Sequence, residues 1–414
     1  MVSSFAARQF AERFGTLAGS RTWWVPGRIE LFGKHVDYAG GRSLLVAIDR
    51  GITIVARPRD DGVVELHDAV RHETFRGVLR PDLPPAPGDW RDYPISVLRR
   101  IARDMPPVAR GMDAVIASSI PPAAGVSSSS ALVIATFLPL AAFNALASHP
   151  AWPGGTMPAE LAGYLGAVEN GRGFGHTAAD FGVGTQGGSQ DHLAILCCRA
   201  GHVTQARFLP SQVEREVAWP ADWSLVVAAS GVHAAKSAGT REHYNTLSRQ
   251  AESLRTLAGT ASLLDFLASD PGATARLADA LSGRPDAAAL ASRLAQFREE
   301  CLELIPGAVA AIAAGDAVAF GDRITRSATL GATALDNQVP ETLYLAESAP
   351  AFGAVAASPF GAGFGGSVYA LVPTAGAEQF ATRWAAGYRD RFPVAAGDAD
   401  FFVTTPSAGA HEVT

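Results

Sequence analysis

A two-domain protein of mixed helices and strands is what this sequence predicts, on three observations. Its 414 residues exceed the size at which one hydrophobic core stops growing, so two lobes sharing a cleft are expected. Short Val/Ile-rich runs broken by turn residues crowd the first third, whereas the Ala-, Leu- and Arg-rich stretch from Thr246 to Ile324 carries helical spacing. Strand-like runs, VYALV and DADFFVTT, then follow near the end.

Taken in order, MVSSFAARQFAERFG spaces its apolar residues as one face of a helix and has no continuous apolar h-region, so it is not read as a signal peptide. SLLVAIDRGITIVARPRDDGVVELHDA reads as short strands joined by hairpins. From Met112 the pattern becomes a strand (DAVIASSI), a small-residue loop (PPAAGVSSSS) and an apolar run from Ala131 that predicts a buried helix. That run contains Pro139 and Asn144 and falls short of a membrane span. HVTQARFL (202–209) and WSLVVAAS (223–230) predict strands around a Pro-containing turn, which places a domain boundary there and gives units 1–215 and 216–414. FGAVAASPFGAGFGGSVYALVP (352–373) predicts helix, glycine loop and strand.

Composition narrows the function classes. With 48% hydrophobic and 18% charged residues the chain has the balance of an ordinary soluble globular protein. A net charge of −6 supplies no general attraction to nucleic acid or to an anionic membrane, so neither is expected as a partner and any phosphate site must be local. Cys197, Cys198 and Cys301 form neither a metal-ligand spacing nor a disulfide framework, which fits a reducing cytoplasm. Monomer and homodimer stay equally open.

Three loops carry the chemistry. PPAAGVSSSSAL (121–132) lies between strand and helix, where small residues let backbone N–H groups approach an anion and the helix N-terminus adds partial positive charge. Its structural reading is a flexible linker or a helix cap, and the buried helix that follows weakens the linker. FGAGFGGS (360–367) is a glycine loop without the strand–loop–helix order of a dinucleotide fingerprint, and no Walker lysine follows the serines. In GTQGGSQDHLAIL (184–196), Asp191 and His192 enter an apolar run, where an aspartate must be paired, cap the helix or serve catalysis.

PGRIELFGKHVDYAGG (26–41), PPAAGVSSSSAL and SPFGAGFGGSVYALV (358–372) resemble, in order, the motifs of the GHMP kinase superfamily, and within it those of the galactokinase-like sugar kinases. GGSQDH, AAKSAGTREHYN (234–245), DNQVPET (336–342) and PSAGA (406–410) extend the similarity over nearly the whole chain. The resemblance implies an α+β, two-domain GHMP kinase fold with its active site in the interdomain cleft, a ferredoxin-like second domain, and a last strand able to return to the first. It further implies phosphorylation of a sugar at its anomeric hydroxyl, with ATP as donor and Mg²⁺ bridging the phosphates.

By motif position, Asp191 is similar to the catalytic aspartate and Arg28 to its partner. Gly125, Ser127, Ser128, Ser129 and Ser130 match the phosphate loop, and Ser129 and Glu169 match the magnesium ligands. Asp37 corresponds to the carboxylate that accepts hydroxyls of the sugar ring, with His35, Tyr244 and Lys34 as further substrate contacts. Each has a structural reading too: Asp37 capping a turn, His35 satisfying a carbonyl, Tyr244 packing its ring. Three departures from the family pattern stand out. Ser130 occupies a usual alanine position, FGHTAADFGVGTQ reads as an insertion between Glu169 and Asp191 that could form a loop over the cleft, and Lys34 replaces a usual glutamate. An ammonium donates where a carboxylate accepts, so Lys34 points either to a hexuronate such as galacturonate or to a nearby acid such as Glu30 or to solvent. A catalytically silent sugar sensor is the alternative of another class. Damage in the serine loop or at the aspartate is expected of it, and neither is damaged.

Overall fold

The computed structural model describes residues 2–121, 124–155, 157–232 and 238–413. The chain opens with α1 (Val2–Phe14), β1 (Arg21–Phe32), β2 (Arg42–Arg59), β3 (Val63–Asp68), β4 (Glu73–Val78), α2 (Asp92–Asp104) and β5 (Gly111–Ser118). Next come α3 (Ser128–Phe143), α4 (Pro158–Asn170), α5 (Gln190–Cys197), β6 (His202–Arg207), β7 (Gln212–Ala218) and β8 (Trp223–Ala229). A run of helices follows: α6 (Ala238–Leu257), α7 (Leu263–Ser269), α8 (Ala273–Ala280), α9 (Ala287–Glu299), α10 (Ile305–Ala314), α11 (Ala317–Leu335) and α12 (Pro340–Phe352). The chain ends with β9 (Ala356–Phe360), β10 (Ser367–Pro373), α13 (Ala377–Arg391), β11 (Asp400–Thr404) and β12 (His411–Val413).

Among the described residues the strands form two sheets. The larger runs β12-β1-β2-β5-β3-β4, with β6 on β2 and β7 on β6; β3 and β5 pair in parallel and the other neighbours antiparallel. The smaller is antiparallel, in the order β11-β8-β10-β9. Together with the helices this is the mixed α+β architecture expected.

Three local expectations change. The residues Asp49, Arg50 and Gly51 do not turn the chain: β2 is one 18-residue strand, paired with β1 from Leu44 to Ala56, with β6 at one end and with β5 at the other. Ahead of the glycine loop stands a strand, β9, rather than a helix, because Gly353 (φ 111°) ends α12 and Ala356–Phe360 pairs with β10. And β7 runs through residues 215–216 on the larger sheet, so that sheet extends past the expected boundary.

Apolar periodicity explains what covers what. The helix α3 is apolar on every side and accordingly buried, against β1 and β2. The main core is continuous from the first sheet through Ile305, Ile312, Phe320 and Ile324 to the inward face of β8 and β10. A separate cluster of Leu254, Leu264, Leu277, Leu294 and Phe297 takes in Val36, Tyr38 and Ala39, so the loop after β1 is gripped by helices distant in sequence. No helix among the described residues is long and apolar enough to cross a membrane.

Candidate active site

Alternation along β1 places Ile29 and Leu31 in the core and leaves Arg28 and Glu30 for the opposite face. Arg28 Nε donates to Asp191 Oδ1 at 2.7 Å, and Nη1 donates to the carbonyl of Gly125 in the serine loop, also at 2.7 Å. The Ser127 hydroxyl donates to Asp191 Oδ2. Arg28 is 4% exposed while the Asp191 side chain keeps 30% of its surface, so the cation is sealed in and the carboxylate stays open on one side. Loss of water pushes the Asp191 carboxyl up, but the charge and hydrogen bond of Arg28, with the Ser127 hydroxyl and His192, outweigh it and hold the group below its ordinary value.

Asp37 sits in a short 3₁₀ turn after β1, and its Oδ2 accepts the backbone N–H of Gln190 at 3.1 Å. That N–H opens α5 and would otherwise be an orphan of the helix N-terminus, whose N-cap residue Ser189 supplies no side-chain bond to it. One carboxylate thus caps the helix that carries Asp191 while remaining a pure acceptor for hydroxyl groups. Burial raises the Asp37 carboxyl above its ordinary value, against the N–H donors of Gln190 and Tyr38.

His35 has both ring nitrogens engaged. Nε2 lies 3.3 Å from the Ala362 carbonyl and 3.2 Å from Asn337 Nδ2, and Nδ1 lies 3.0 Å from the Tyr38 hydroxyl. Burial, with Arg293 nearby, lowers its pKa to about 3 and keeps the ring neutral. His35 thus ties the loop after β1 to the glycine loop. Tyr244, half-buried on α6, lies with its ring centroid 5.3 Å from that ring and tilted 58° to it. Residues 234–237 of the stretch that leads to it lie outside the described residues.

The serines begin α3 rather than preceding it, with Ser127 in the left-handed region (φ 62°) as N-cap. Ser128 is exposed, Ser129 half-exposed and Ser130 buried; Gly125 is exposed, and Pro122 and Ala123 lie outside the described residues. The glycine loop abuts this turn: a Cβ on Gly361, whose φ of +80° already favours glycine, would come 3.0 Å from Gly125 O. Glu169 sits in the last turn of α4, and its Oε2 accepts from Ser130 Oγ at 2.8 Å. His192 Nε2 lies 2.9 Å from the same oxygen, near enough for an ion pair but not aligned for a hydrogen bond. So the serine that touches Glu169 is Ser130, the one standing at the usual alanine position, and not Ser129. No group of three or more His, Cys, Asp or Glu side chains able to hold a metal exists among the described residues. One carboxylate beside serine hydroxyls is nevertheless an all-oxygen donor set that fits Mg²⁺ shared with nucleotide phosphates.

Lys34 is 4% exposed and does not reach solvent. Its Nζ donates to Ser327 Oγ on α11 at 2.9 Å, and Ser327 Oγ donates to Glu300 Oε1 at 2.8 Å. Gly331, one turn further along α11, makes room for the stem, since a Cβ there would sit 2.9 Å from Lys34 Cδ. Burial pushes Glu30 up to about 7, against the pull of the Lys34 and Arg28 charges. The ammonium therefore turns to a hydroxyl, which links it to the buried acid Glu300, rather than to solvent.

Sequence reasoning missed Gln190, Ser43, Asn170 and Arg293. Gln190 and Arg293 are polar side chains buried on otherwise apolar helix faces, a signal that could have flagged them. Asn170 carried no such signal, because its bonds go to backbone far along the chain.

Residues 8–58 match the galactokinase galactose-binding signature, residues 92–176 the N-terminal domain of GHMP kinases and residues 308–390 their C-terminal domain. The chain is 29% identical over 415 residues to the galactokinase of Streptomyces coelicolor, covering 97% of each. It is 30% identical over 384 residues to that of Chloroflexus aurantiacus, covering 89% of this chain and 87% of the other. The fold is similar to that of Lactococcus lactis galactokinase complexed with galactose, with a TM-score of 0.81 at 22% identity and full coverage of both chains.

Proposed function

The chain belongs to the galactokinase family of GHMP kinases, and from that premise we propose that it is an ATP-dependent galactose 1-kinase, moving the γ-phosphoryl group to the anomeric hydroxyl. The observation that carries the reading is the Arg28–Asp191 pair, which stands where β1, the serine turn and the first turn of α5 meet.

In this reading the sugar lies against Asp37, whose two oxygens accept ring hydroxyls, with the anomeric hydroxyl at Asp191. The hydroxyl oxygen attacks the γ-phosphorus, the bond to the β,γ-bridging oxygen breaks, and ADP leaves. With its pKa depressed, Asp191 is a weak base. Its charge orients the hydroxyl first, and Oδ2, the oxygen Arg28 does not hold, takes the proton as the new O–P bond acidifies it. Arg28 stays buried and keeps Asp191 ionised until that proton arrives. The N-terminus of α3 and the Ser128 hydroxyl receive the phosphates. Mg²⁺, held by Glu169 and the adjacent serine hydroxyls, would supply charge neutralisation on the transferring phosphoryl group.

Coupled ADP release over a panel of sugars tests the reading. Galactose is expected to be the preferred acceptor, and Asp191→Ala is expected to lower kcat by at least about a hundredfold while ATP still binds. Full turnover in that variant would remove Asp191 from the mechanism. Preference for galacturonate would overturn the substrate, and no turnover of any sugar by the unaltered protein would favour a silent sensor.

A further inference from the structure

Two residues of β1 reach two successive residues of α5. Arg28 holds Asp191, and Glu30 Oε2 accepts from Gln190 Nε2 at 2.6 Å. On its other side Gln190 Oε1 accepts from Ser43 Oγ on β2 at 2.7 Å, so the amide is gripped at both ends and its orientation is set by the carboxylate. Gln190, Glu30 and Ser43 are all buried. The place of Ser43 is in turn secured by Gly33, at φ +100°, where a Cβ would fall 2.3 Å from Ser43 Oγ. The backbone of the same Gln190 donates to Asp37. A single residue therefore joins the carboxylate assigned to the sugar and the carboxylate assigned to the chemistry.

Behind this clamp lies an unbalanced group of buried charges. Glu30 Oε1 and Glu300 Oε2 have no hydrogen-bond partner among the described residues, and the Lys34 charge acts on Glu30 from beside them. A buried carboxylate without a nearby cation would lose its proton reluctantly and grip a neighbouring amide less firmly.

We propose that Gln190 is a positioning residue, whose side chain, clamped between Glu30 and Ser43, holds Asp191 at one place relative to Asp37, and that Lys34 serves this clamp through Glu30 rather than by touching the sugar. The proposal rests on the kinase reading above. It follows that Lys34 alters the stability of the catalytic geometry and not the choice of sugar.

The groups facing Glu30 are Lys34, Arg28, Glu300, Gln190, Tyr38 of the turn after β1 and, from β10, Tyr369, whose hydroxyl donates to the Leu31 carbonyl at 2.8 Å. With its carboxyl pushed up to about 7, Glu30 is ionised above that pH and protonated below it. The clamp is therefore firmest on the alkaline side of neutrality, a range in which Asp191 stays ionised.

Steady-state kinetics on the full chain, varying galactose and ATP independently, test this with Gln190→Ala, Glu30→Gln, Lys34→Met and the electrically balanced Glu30→Gln/Lys34→Met. Gln190→Ala is expected to lower kcat about tenfold or more, since ångström-scale misplacement of a reacting group costs up to about a hundredfold, with the KM for ATP unchanged. Lys34→Met and Glu30→Gln are each expected to lower kcat, and the double variant to recover most of the loss, because the amide oxygen that replaces the Glu30 carboxylate still accepts from Gln190. The unaltered protein is expected to lose kcat as pH falls through about 7, and the double variant to show no such limb. A galactose KM raised in Lys34→Met and still raised in the double variant would make Lys34 a sugar contact and overturn the proposal. An unchanged limb in the double variant would overturn it as well. Unaffected kcat in Gln190→Ala, with the unaltered protein active, would remove the positioning role alone, whereas no turnover by the unaltered protein would sink both readings. Should a variant with one unbalanced charge fail to fold, Gln190→Ala and the double variant decide the matter.

Discussion

At Gly188 the loop before α5 meets the carboxylate assigned to the sugar with no space between them. A Cβ there would lie 2.2 Å from Asp37 Oδ2, so Gly188→Ala must push Asp37 aside or unseat the loop. Its expected effect is a galactose KM raised about tenfold or more with the KM for ATP unchanged, read from the same initial-rate assay. An unchanged galactose KM would remove Asp37 from the sugar site. The residue types at this scale were legible in advance, because chemistry restricts them: a carboxylate for hydroxyls, an arginine for the carboxylate, serines at a helix start. What each side chain touches was not. The Ser127 hydroxyl, read as a phosphate donor, turns to Asp191, and His35, read as a sugar contact, spends both nitrogens on Tyr38 and Ala362. Those choices depend on partners that lie far away in sequence.

Between α4 and α5, the segment read as an insertion is an element with its own anchors. Asp180 accepts from Arg99 on α2 at 2.8 Å, Arg100 donates to Thr177 Oγ1 at 3.0 Å, and Arg103 donates to Ala178 O at 2.8 Å. Its far end reaches α6, where Gln186 N donates to Asn245 Oδ1 at 3.0 Å and Ser248 donates to Gln186 O at 2.7 Å. The segment thus straps α2 to the helix that carries Tyr244. Asn170 secures the exit from this strap: Oδ1 accepts from Gly187 N at 2.7 Å and Thr185 Oγ1 at 3.0 Å, while Nδ2 donates to Gly166 O at 2.9 Å. Asn170→Ala leaves these groups unpaired and is expected to destabilise the chain by about 2 kcal/mol, read as a lowered urea midpoint, and to raise the galactose KM. A midpoint and KM both unchanged would show that the strap is held elsewhere. Helices and strands with a clear apolar pattern were readable, including α1, α3, β5, β6 and β8. The unbroken β2 was not, because Asp49, Arg50 and Gly51 have turn chemistry and are kept extended by neighbours: Gly51 pairs with Pro26, and Asp49 accepts from Thr404 at 2.7 Å.

Over the whole molecule the chain end ties the two sheets together. After β11 has paired with β8 in the smaller sheet, β12 crosses to β1 in the larger, placing Val413 opposite Thr22 and Glu412 within an ion pair of Arg21. Deleting residues 411–414 would uncover the edge of β1, the strand that positions Arg28 and Glu30. The expected result is a lower thermal midpoint and faster aggregation on heating, measured by light scattering, with kcat largely kept at low temperature; an unchanged midpoint would show that the edge needs no cover. By itself the sequence determined the family and the kinase chemistry, because the motifs and the alternation of apolar side chains are local properties of the chain. Tertiary structure alone decided the fate of Lys34, the partner of Glu169 and the central place of Gln190. Burial brings Glu30, Lys34, Gln190, Glu300 and Ser327 together from four separate stretches, and away from water each charge or amide must take the partner that packing supplies.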